Sequence, residues 1–334
     1  MSYISFLIPC ATILVSFVLS LALTSLVKRA LLQRALLDIP NDRSSHKIPV
    51  PRGGGWALLI ILLPTLLGAA LYIDQDARHL GLIAAIILLA GVSWLDDSQG
   101  VSPAMRLSLH LTAACLGSLC FAPTEMLFGG ALPFWLDRTL LIVGWAWFIN
   151  LYNFMDGIDG ITATETISIT TGLCLVMNAA GMNDPFIGFL ALILTGCCLG
   201  FLAYNWHPAQ IFLGDVGSVP LGFLIGFGLL SLAVNGHLIA ALILPLYYLA
   251  DSGITITKRA FRGEKVWQAH REHFYQHAAQ EVGRHDKVVV WIALANIALI
   301  AAAIGAISYA WAALTASILI VAILLRKMHK TASI

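Results

Sequence analysis

The sequence has 334 residues, of which 59% are hydrophobic and 11% are charged, and its formal net charge is +1 at pH 7. Soluble domains carry about 25% charged residues, so this composition excludes a soluble globular fold. The nearly neutral chain also lacks a basic surface of the kind that binds nucleic acid, and we predict no nucleic-acid partner.

Apolar runs of the length that a helix needs to cross a membrane recur along the whole chain. We predict an all-α, polytopic integral membrane protein with about eleven transmembrane helices, or about ten if the last two form one bent segment. The predicted spans are residues 3–27, 53–73, 80–96, 105–121, 139–155, 161–180, 186–204, 218–234, 238–257, 288–308 and 310–325. They leave room for a single transmembrane domain, residues 1–334, and for no second globular domain.

The basic residues predict how the chain is oriented. The sequence has 19 Lys and Arg residues, and all except Arg78 and Arg138 fall in one set of loops and helix ends. Because cytoplasmic loops carry an excess of Lys and Arg, this set is predicted to be cytoplasmic. The N-terminus then lies outside the cytoplasm and the C-terminus inside, and the two longest cytoplasmic loops are residues 28–52 and 258–287.

Adjacent carboxylates form the first of four polar motifs on the predicted cytoplasmic side. Asp96 and Asp97 close the third predicted span in the segment SWLDDSQG. Two neighbouring carboxylates repel each other unless a cation lies between them, and Mg²⁺ binds carboxylate and phosphate oxygens. The pair therefore predicts a site for Mg²⁺ and a diphosphate, and a solvated helix end is the alternative.

The second motif, NLYNFMDGIDG, closes the fifth predicted span. Asp156 and Asp159 are three residues apart and would share a face if the segment is helical, and Asn153 adds an amide at the same spacing. Gly157 and Gly160 let the backbone approach a ligand closely. We interpret the motif as a ligand site, and a hydrogen-bonded helix break is the alternative.

The third motif, NWHPAQIFLGDVGS, precedes the eighth predicted span. It begins at Asn205, and it brings Gly214 and Asp215 to the start of a helix, where free backbone N–H groups can bind a phosphate. The alternative is that Asp215 is a simple N-cap.

The longest predicted cytoplasmic loop holds the fourth motif, HREHFYQH. His270, His273 and His277 recur at helical spacing, and with Arg271 they could form a cationic edge for phosphates or sugar hydroxyls. A basic amphipathic helix that rests on anionic membrane lipid is the alternative.

These four motifs, preceded by HKIPVPRGGG in the first loop, together resemble the polyprenyl-phosphate N-acetylhexosamine-1-phosphate transferases, which form glycosyltransferase family 4. The resemblance implies that undecaprenyl phosphate attacks the β-phosphorus of a UDP-N-acetylhexosamine and that UMP is released. It implies Mg²⁺ as the cofactor, with Mn²⁺ as an alternative, and a place in the bacterial inner membrane with the N-terminus in the periplasm. The loops that would form the active face are residues 28–52, 96–105, 156–160, 205–218 and 258–287.

The resemblance also implies roles for individual residues. It makes Asp215 the metal ligand, and the implied catalytic residues are Asp96, Asp97, His270 and His273. The residues that it places around the substrates are Lys47, Asn153, Asp156, Asp159, Asn205 and Arg271. Because a phosphate nucleophile is already ionised at neutral pH, we favour an orienting role for Asp96 over general-base catalysis, and both roles stay open.

Two departures from the usual family pattern predict the branch. The loop reads HREHFYQH where the family usually has an H-x-H cluster, and VPRGGG stands where the peptidoglycan enzyme has TPTMGG. This form resembles the branch that begins O-antigen or capsule synthesis. The sequence leaves open which of GlcNAc, GalNAc, FucNAc and QuiNAc is transferred, and whether the chain forms a homodimer.

The alternative function is an ion-coupled membrane transporter, because intramembrane carboxylates such as Asp251 also mark ion pathways. A transporter predicts acids at the bilayer midplane. Nearly all the acids of this chain instead fall at one predicted membrane face, which favours the transferase.

Overall fold

The computed structural model describes residues 3–40, 48–74, 78–265 and 270–331, and these residues are mostly helical. The α-helices are α1 Tyr3–Gln33, α2 Gly55–Ala69, α3 Arg78–Gln99, α4 Pro103–Ser118, α5 Phe134–Phe154, α6 Ile161–Ala179, α7 Pro185–Asn205, α8 Asp215–Leu232, α9 Leu238–Ile243, α10 Leu246–Phe261, α11 Phe274–Val282 and α12 His285–Thr331. Two short strands, β1 Leu37–Asp38 and β2 Val50–Pro51, pair antiparallel after α1.

Six helical segments in the described ranges are long and apolar enough to cross a membrane. They are Leu7–Gln33, Gly55–Tyr72, Arg78–Gln99, Pro185–Asn205, Asp215–Ile243 and His285–Thr331. Within each such helix the backbone N–H and C=O groups form hydrogen bonds with one another, as the interior of a bilayer requires. The chain is therefore a mostly helical, multi-pass membrane protein.

Helix α8 lies at the centre of the bundle and is almost wholly buried. Gly222 and Gly226 face α5, where an added Cβ would lie 2.8 Å from Tyr152 and 2.5 Å from Trp145. The absent side chains let the Trp145 ring stack on Phe223 at 4.6 Å between centroids and donate a 3.0 Å hydrogen bond to the Phe223 carbonyl. This packing sets the position of the first residue of α8, Asp215.

Two predicted span boundaries differ from the structure. The predicted span 238–257 is divided between α9 and α10, because the chain turns at Leu244 and Pro245. The predicted spans 288–308 and 310–325 lie on one helix, α12, with a non-helical backbone at Tyr309. A straight helix of 47 residues would be about 70 Å long, more than twice the hydrocarbon core, so the kink divides α12 into two membrane-length arms.

Candidate active site

Three of the predicted acidic residues meet where α3 ends and α8 begins. The two carboxylate oxygens of Asp97 accept hydrogen bonds from the backbone N–H of Asp215 at 3.3 Å and of Val216 at 3.2 Å. The N-cap of α8 is Gly214, and the Asp215 side chain makes no cap bond, so the N-cap alternative is wrong. Asp97 also occupies the free N–H groups that the sequence assigned to a phosphate.

Arg52 joins these acids, and sequence reasoning missed it as a site residue. One guanidinium nitrogen lies 2.9 Å from Asp97 and 2.7 Å from Asp215. Burial opposes the charge of Arg52, but the two carboxylates raise its pKa, so the side chain stays cationic. Its position within HKIPVPRGGG was the available signal, because that segment already belonged to the family pattern.

A run of glycines brings Arg52 to the acids. The N–H groups of Gly53 and Gly54 donate to the Phe212 carbonyl at 3.2 and 2.8 Å, and Gly55 donates to Leu213 at 2.9 Å. The approach is so close that a Cβ on Gly55 would lie 2.2 Å from Cα of Gly217. Only glycine fits where two backbones pack in this way.

Gly55→Ala is expected to destabilise the protein by about 1–3 kcal/mol, the usual cost of overpacking. Gly68→Ala is the matched control in the same helix, because a Cβ there meets nothing within 4 Å. Thermal unfolding in one detergent should show a lower midpoint for Gly55→Ala and no loss for Gly68→Ala. Equal midpoints would contradict the close docking of the glycine segment.

Asp96 faces the same acidic centre from a different side. Its carboxylate pairs with Arg106 at 3.1 Å and accepts a 2.6 Å hydrogen bond from the Val101 N–H. With Arg106, His110 and Asp215 it lines a cavity of about 10 Å³. That volume is about one water-sized sphere, so one water molecule or one small ion fits beside Asp96 and Asp215.

Asn153 and Asp156 extend the centre from the end of α5. The Asn153 amide lies 3.4 Å from Asp215 and accepts a 2.5 Å hydrogen bond from Ser218, while Asp156 accepts a 2.6 Å bond from the Thr162 hydroxyl. Burial raises the pKa of Asp156 to about 6, the Thr162 bond opposes this shift, and the charge of Asp215 adds to it.

Asp159 lies in a separate cluster with two histidines that sequence reasoning did not select. Its Oδ2 is 2.6 Å from Nδ1 of His207, 3.2 Å from Nδ1 of His285, and 3.2 Å from the Ala209 N–H. Burial opposes ionisation of Asp159, but the bonds to His285 and His207 hold its pKa below the usual value. No periodic pattern links residues this far apart, so the sequence carried no signal for the pairing.

Asn205 joins the second and third motifs. Its side-chain oxygen accepts from the Gly160 N–H and its amide nitrogen donates to the Ile211 carbonyl, both at 2.9 Å. Both ends of the amide are therefore used within the protein. The side chain sets the spacing of the two loops that carry Asp159 and Asp215.

The family model for glycosyl transferase family 4 matches residues 79–234, the stretch that carries Asp96, Asp97, Asp156, Asp159 and Asp215. Over this stretch the chain is similar to glycosyl transferase family 4. It is 28% identical over 281 residues to the "Probable undecaprenyl-phosphate N-acetylglucosaminyl 1-phosphate transferase" of Bacillus subtilis, covering 79% of this chain and 76% of that protein.

Other relatives carry related names. The chain is 25% identical to a decaprenyl-phosphate N-acetylglucosaminephosphotransferase of Mycobacterium leprae, covering 76% of this chain and 73% of the relative. It is 32% identical to a phospho-N-acetylmuramoyl-pentapeptide-transferase of Acaryochloris marina, covering 62% of this chain and 58% of the relative. The predicted resemblance to this family is thus confirmed.

The three histidines of the fourth motif do not lie on one helix in the structure, although their spacing would allow it. His273 is the N-cap of α11, His270 precedes the helix, and His277 is the one histidine of the three within it. His277 is exposed and lines a cavity with Lys258 and His329, while His273 is buried. Arg271 is half-buried in the same segment, and Lys47 lies outside the described residues.

The donor set at the acidic centre fits the metal that the family implies. Asp96, Asp97 and Asp215 offer carboxylate oxygens, which hard Mg²⁺ prefers over nitrogen or sulfur. The Asp159 cluster offers one carboxylate and two imidazoles, a set better suited to softer ions. The oxygen-only centre is accordingly the better Mg²⁺ candidate among the described residues.

Proposed function

We propose that this chain transfers N-acetylhexosamine-1-phosphate from a UDP-sugar to undecaprenyl phosphate and releases UMP, as the first membrane step of O-antigen or other surface polysaccharide synthesis. The observation that carries the proposal is the meeting of Asp96, Asp97, Asp215 and Arg52 at one end of the bundle. The names of the family 4 relatives support the substrate classes. The HREHFYQH form of the histidine motif supports the branch.

The chemistry asks for charge neutralisation and alignment more than for covalent help, because phosphoryl transfer passes through a transition state with charge spread over its oxygens. Asp215, with Asp96 and Asp97, would hold Mg²⁺, which supplies positive charge to the diphosphate when bound. Arg52 sits between two of these carboxylates and is placed to bind a phosphate oxygen. Asp96 orients the lipid phosphate, which is already ionised at neutral pH.

We place the active face in the cytoplasm and assign about eleven spans in one transmembrane domain, with the N-terminus in the periplasm of a bacterial inner membrane. The two arms of α12 and the split of α9 from α10 are compatible with this count. Membrane lipid surrounds the bundle, and the proposal leaves a homodimer open.

A cysteine at Ser98 should resist a membrane-impermeant thiol reagent in intact cells, whereas a cysteine at Ala131 should react. Both positions are exposed. Ser98 lies at the end of α3, shortly before α4, and Ala131 lies in the loop after α4, so the two positions are at opposite ends of this helix. The six native cysteines are removed first. Labelling of the Ser98 position with protection of the Ala131 position would reverse the proposed orientation.

Thr162→Val should move the acid limb of the rate profile to higher pH. The Thr162 hydroxyl lowers the pKa of Asp156, which is about 6, so its loss raises that pKa and protonates Asp156 at a higher pH. Activity that depends on the ionised carboxylate is then lost earlier as pH falls. Thr164→Val is the control, because that hydroxyl has no partner among the described residues. An unchanged profile of kcat/KM in Thr162→Val would contradict the role of ionised Asp156.

The test of the proposed function is UMP release when the purified protein is mixed with undecaprenyl phosphate and each of a panel of UDP-N-acetylhexosamines in Mg²⁺. We expect release with at least one sugar and none without the lipid. Chelation should stop the reaction, and added Mg²⁺ or Mn²⁺ should restore it. Release of UMP with no lipid acceptor, or with none of the sugars, would overturn the proposal.

A further inference from the structure

We propose that Asp251 is a positioning residue that holds His273 so that Nε2 of His273, and not His270, donates to a phosphate oxygen of the sugar nucleotide. This inference rests on the proposed function. It concerns Asp251, which the alternative function, an ion-coupled transporter, would place on an ion pathway. The contacts of Asp251, the unfilled nitrogen of His273 and the asymmetry of the two histidines support it independently.

Asp251 lies on α10 and is fully buried, and both of its carboxylate oxygens have hydrogen-bond partners among the described residues. Its Oδ1 is 3.0 Å from Nδ1 of His273 and accepts from the Phe274 N–H at 3.1 Å. Its Oδ2 accepts from the Tyr275 N–H at 3.2 Å and from the Tyr247 hydroxyl at 3.1 Å. Through these hydrogen bonds Asp251 anchors the positive, N-terminal end of α11. Its oxygens have few lone pairs left to bind a transported ion.

The bond to Asp251 determines which nitrogen of His273 is left for a ligand. A carboxylate only accepts, so Nδ1 must carry a proton, and Nε2 is the free position. Nε2 is buried and has no hydrogen-bond partner among the residues that the structure describes. An unsatisfied buried polar atom destabilises the protein, and a bound ligand that accepts or donates a hydrogen bond there would remove this cost.

His270 differs from His273 although the two rings stack at 4.8 Å between centroids. Its Nδ1 lies 3.4 Å from the Glu272 N–H and accepts from it, so that nitrogen carries no proton. Burial, and then repulsion by His273 and Arg259, lower the pKa of His270 to about 4. Of the two stacked rings, His273 is the one with a carboxylate at Nδ1 and a buried, unpartnered Nε2 on its other side.

The ring stack places this dyad beside the acidic motifs. Phe154, at the end of α5, stacks on His270 at 6.3 Å, and His273 stacks on Tyr275 at 5.6 Å. The Tyr275 hydroxyl donates to the Phe154 carbonyl at 3.1 Å and closely contacts Gly157, next to Asp156. With Nδ1 donating to Asp251 and Nε2 donating to a phosphate oxygen, both ring nitrogens of His273 carry a proton in the complex.

The protonation states can be read without turnover from ¹⁵N spectra of the histidine rings in the full chain. We expect the free protein to show His273 with a proton on Nδ1, and saturating UDP-sugar to convert this ring to an imidazolium while His270 stays neutral. A proton on Nε2 alone in the free protein, or no response of His273 to UDP-sugar, would overturn the proposal. These spectra test the dyad even if the enzyme transfers to a different lipid.

Kinetics supply the second test. Asp251→Asn keeps an oxygen for the α11 backbone but can donate to Nδ1 and favour the wrong tautomer, so we expect kcat to fall about 100-fold or more with little change in KM. The kcat of His273→Gln should fall as far. The kcat of the double variant should be no lower than that of either single variant, because both changes disrupt the same Asp251–His273 pair. Tyr247→Phe is the control, because it removes a bond to Asp251 that does not reach His273, and it should stay within about threefold of the wild type.

Independent losses that multiply in the double variant would overturn the proposal, as would near-normal turnover in Asp251→Asn. A larger loss in His270→Ala than in His273→Ala would give the phosphate contact to the other ring and also overturn it. The unfolding midpoint of each variant separates lost positioning from lost folding. Absence of UMP release by the wild-type protein would instead reject the proposed function, and the ¹⁵N spectra would still decide the dyad.

Discussion

Asp215→Asn is expected to lower sugar-phosphate transfer by about 10³-fold or more while the protein stays folded. The substitution keeps the shape of the side chain but removes the charge that would hold Mg²⁺, and a lost metal contact is worth several kcal/mol in the transition state. The backbone N–H of residue 215 still donates to Asp97, and Gly214 remains the N-cap, so α8 should begin as before. UMP release at saturating substrates and varied Mg²⁺ is the measurement.

Asp184→Asn is the matched control, because Asp184 caps α7 through a 3.0 Å bond from the Ile187 N–H and lies far along the chain from the acidic motifs. Asparagine caps a helix as well as aspartate does, so this variant should keep its activity. Mg²⁺-dependent turnover near the wild-type rate in Asp215→Asn would remove Asp215 from the metal assignment.

Arg52→Ala is expected to lower kcat by about 10²–10³-fold, the range found when a group that stabilises developing charge is deleted. Without the guanidinium, Asp97 and Asp215 lose the one cation that contacts both of them among the described residues. Their mutual repulsion should then strengthen the attraction for Mg²⁺, so the Mg²⁺ concentration at half-maximal rate should fall or stay level as kcat drops. A lower kcat without a higher Mg²⁺ requirement distinguishes Arg52 from a metal ligand, because loss of a metal ligand would raise the Mg²⁺ concentration at half-maximal rate.

Arg52→Lys should recover little of this loss, because an ammonium is a point charge that bridges two carboxylates poorly. Arg29→Ala serves as the control, since Arg29 is an exposed cation at the same end of the chain. A similar loss in Arg29→Ala would indicate a general effect of charge at the membrane surface. Full activity in Arg52→Ala would show that the bridge serves packing alone.

The histidine motif shows why spacing alone does not determine where a helix begins. Spacings of three and four residues are compatible with one helix through His270, His273 and His277. In the structure, Asp251 accepts from the N–H groups of Phe274 and Tyr275, so the helix begins only after His273. The partner that ends the pattern lies more than twenty residues away, and no local rule could have identified it.

By itself, the sequence determined the membrane class, the resemblance to the family and the motifs that carry the acids, because hydrophobic length and short ordered motifs are local properties of the chain. The tertiary structure alone decided the pairings: Arg52 with Asp97 and Asp215, Asp159 with two histidines, and Asp251 with His273. Each pairing depends on the angle and depth at which separate helices pack. The angle and depth of packing depend on many contacts, such as those between the glycines of α8 and the aromatic rings of α5. Because these contacts are spread over the whole bundle, no single motif predicts them.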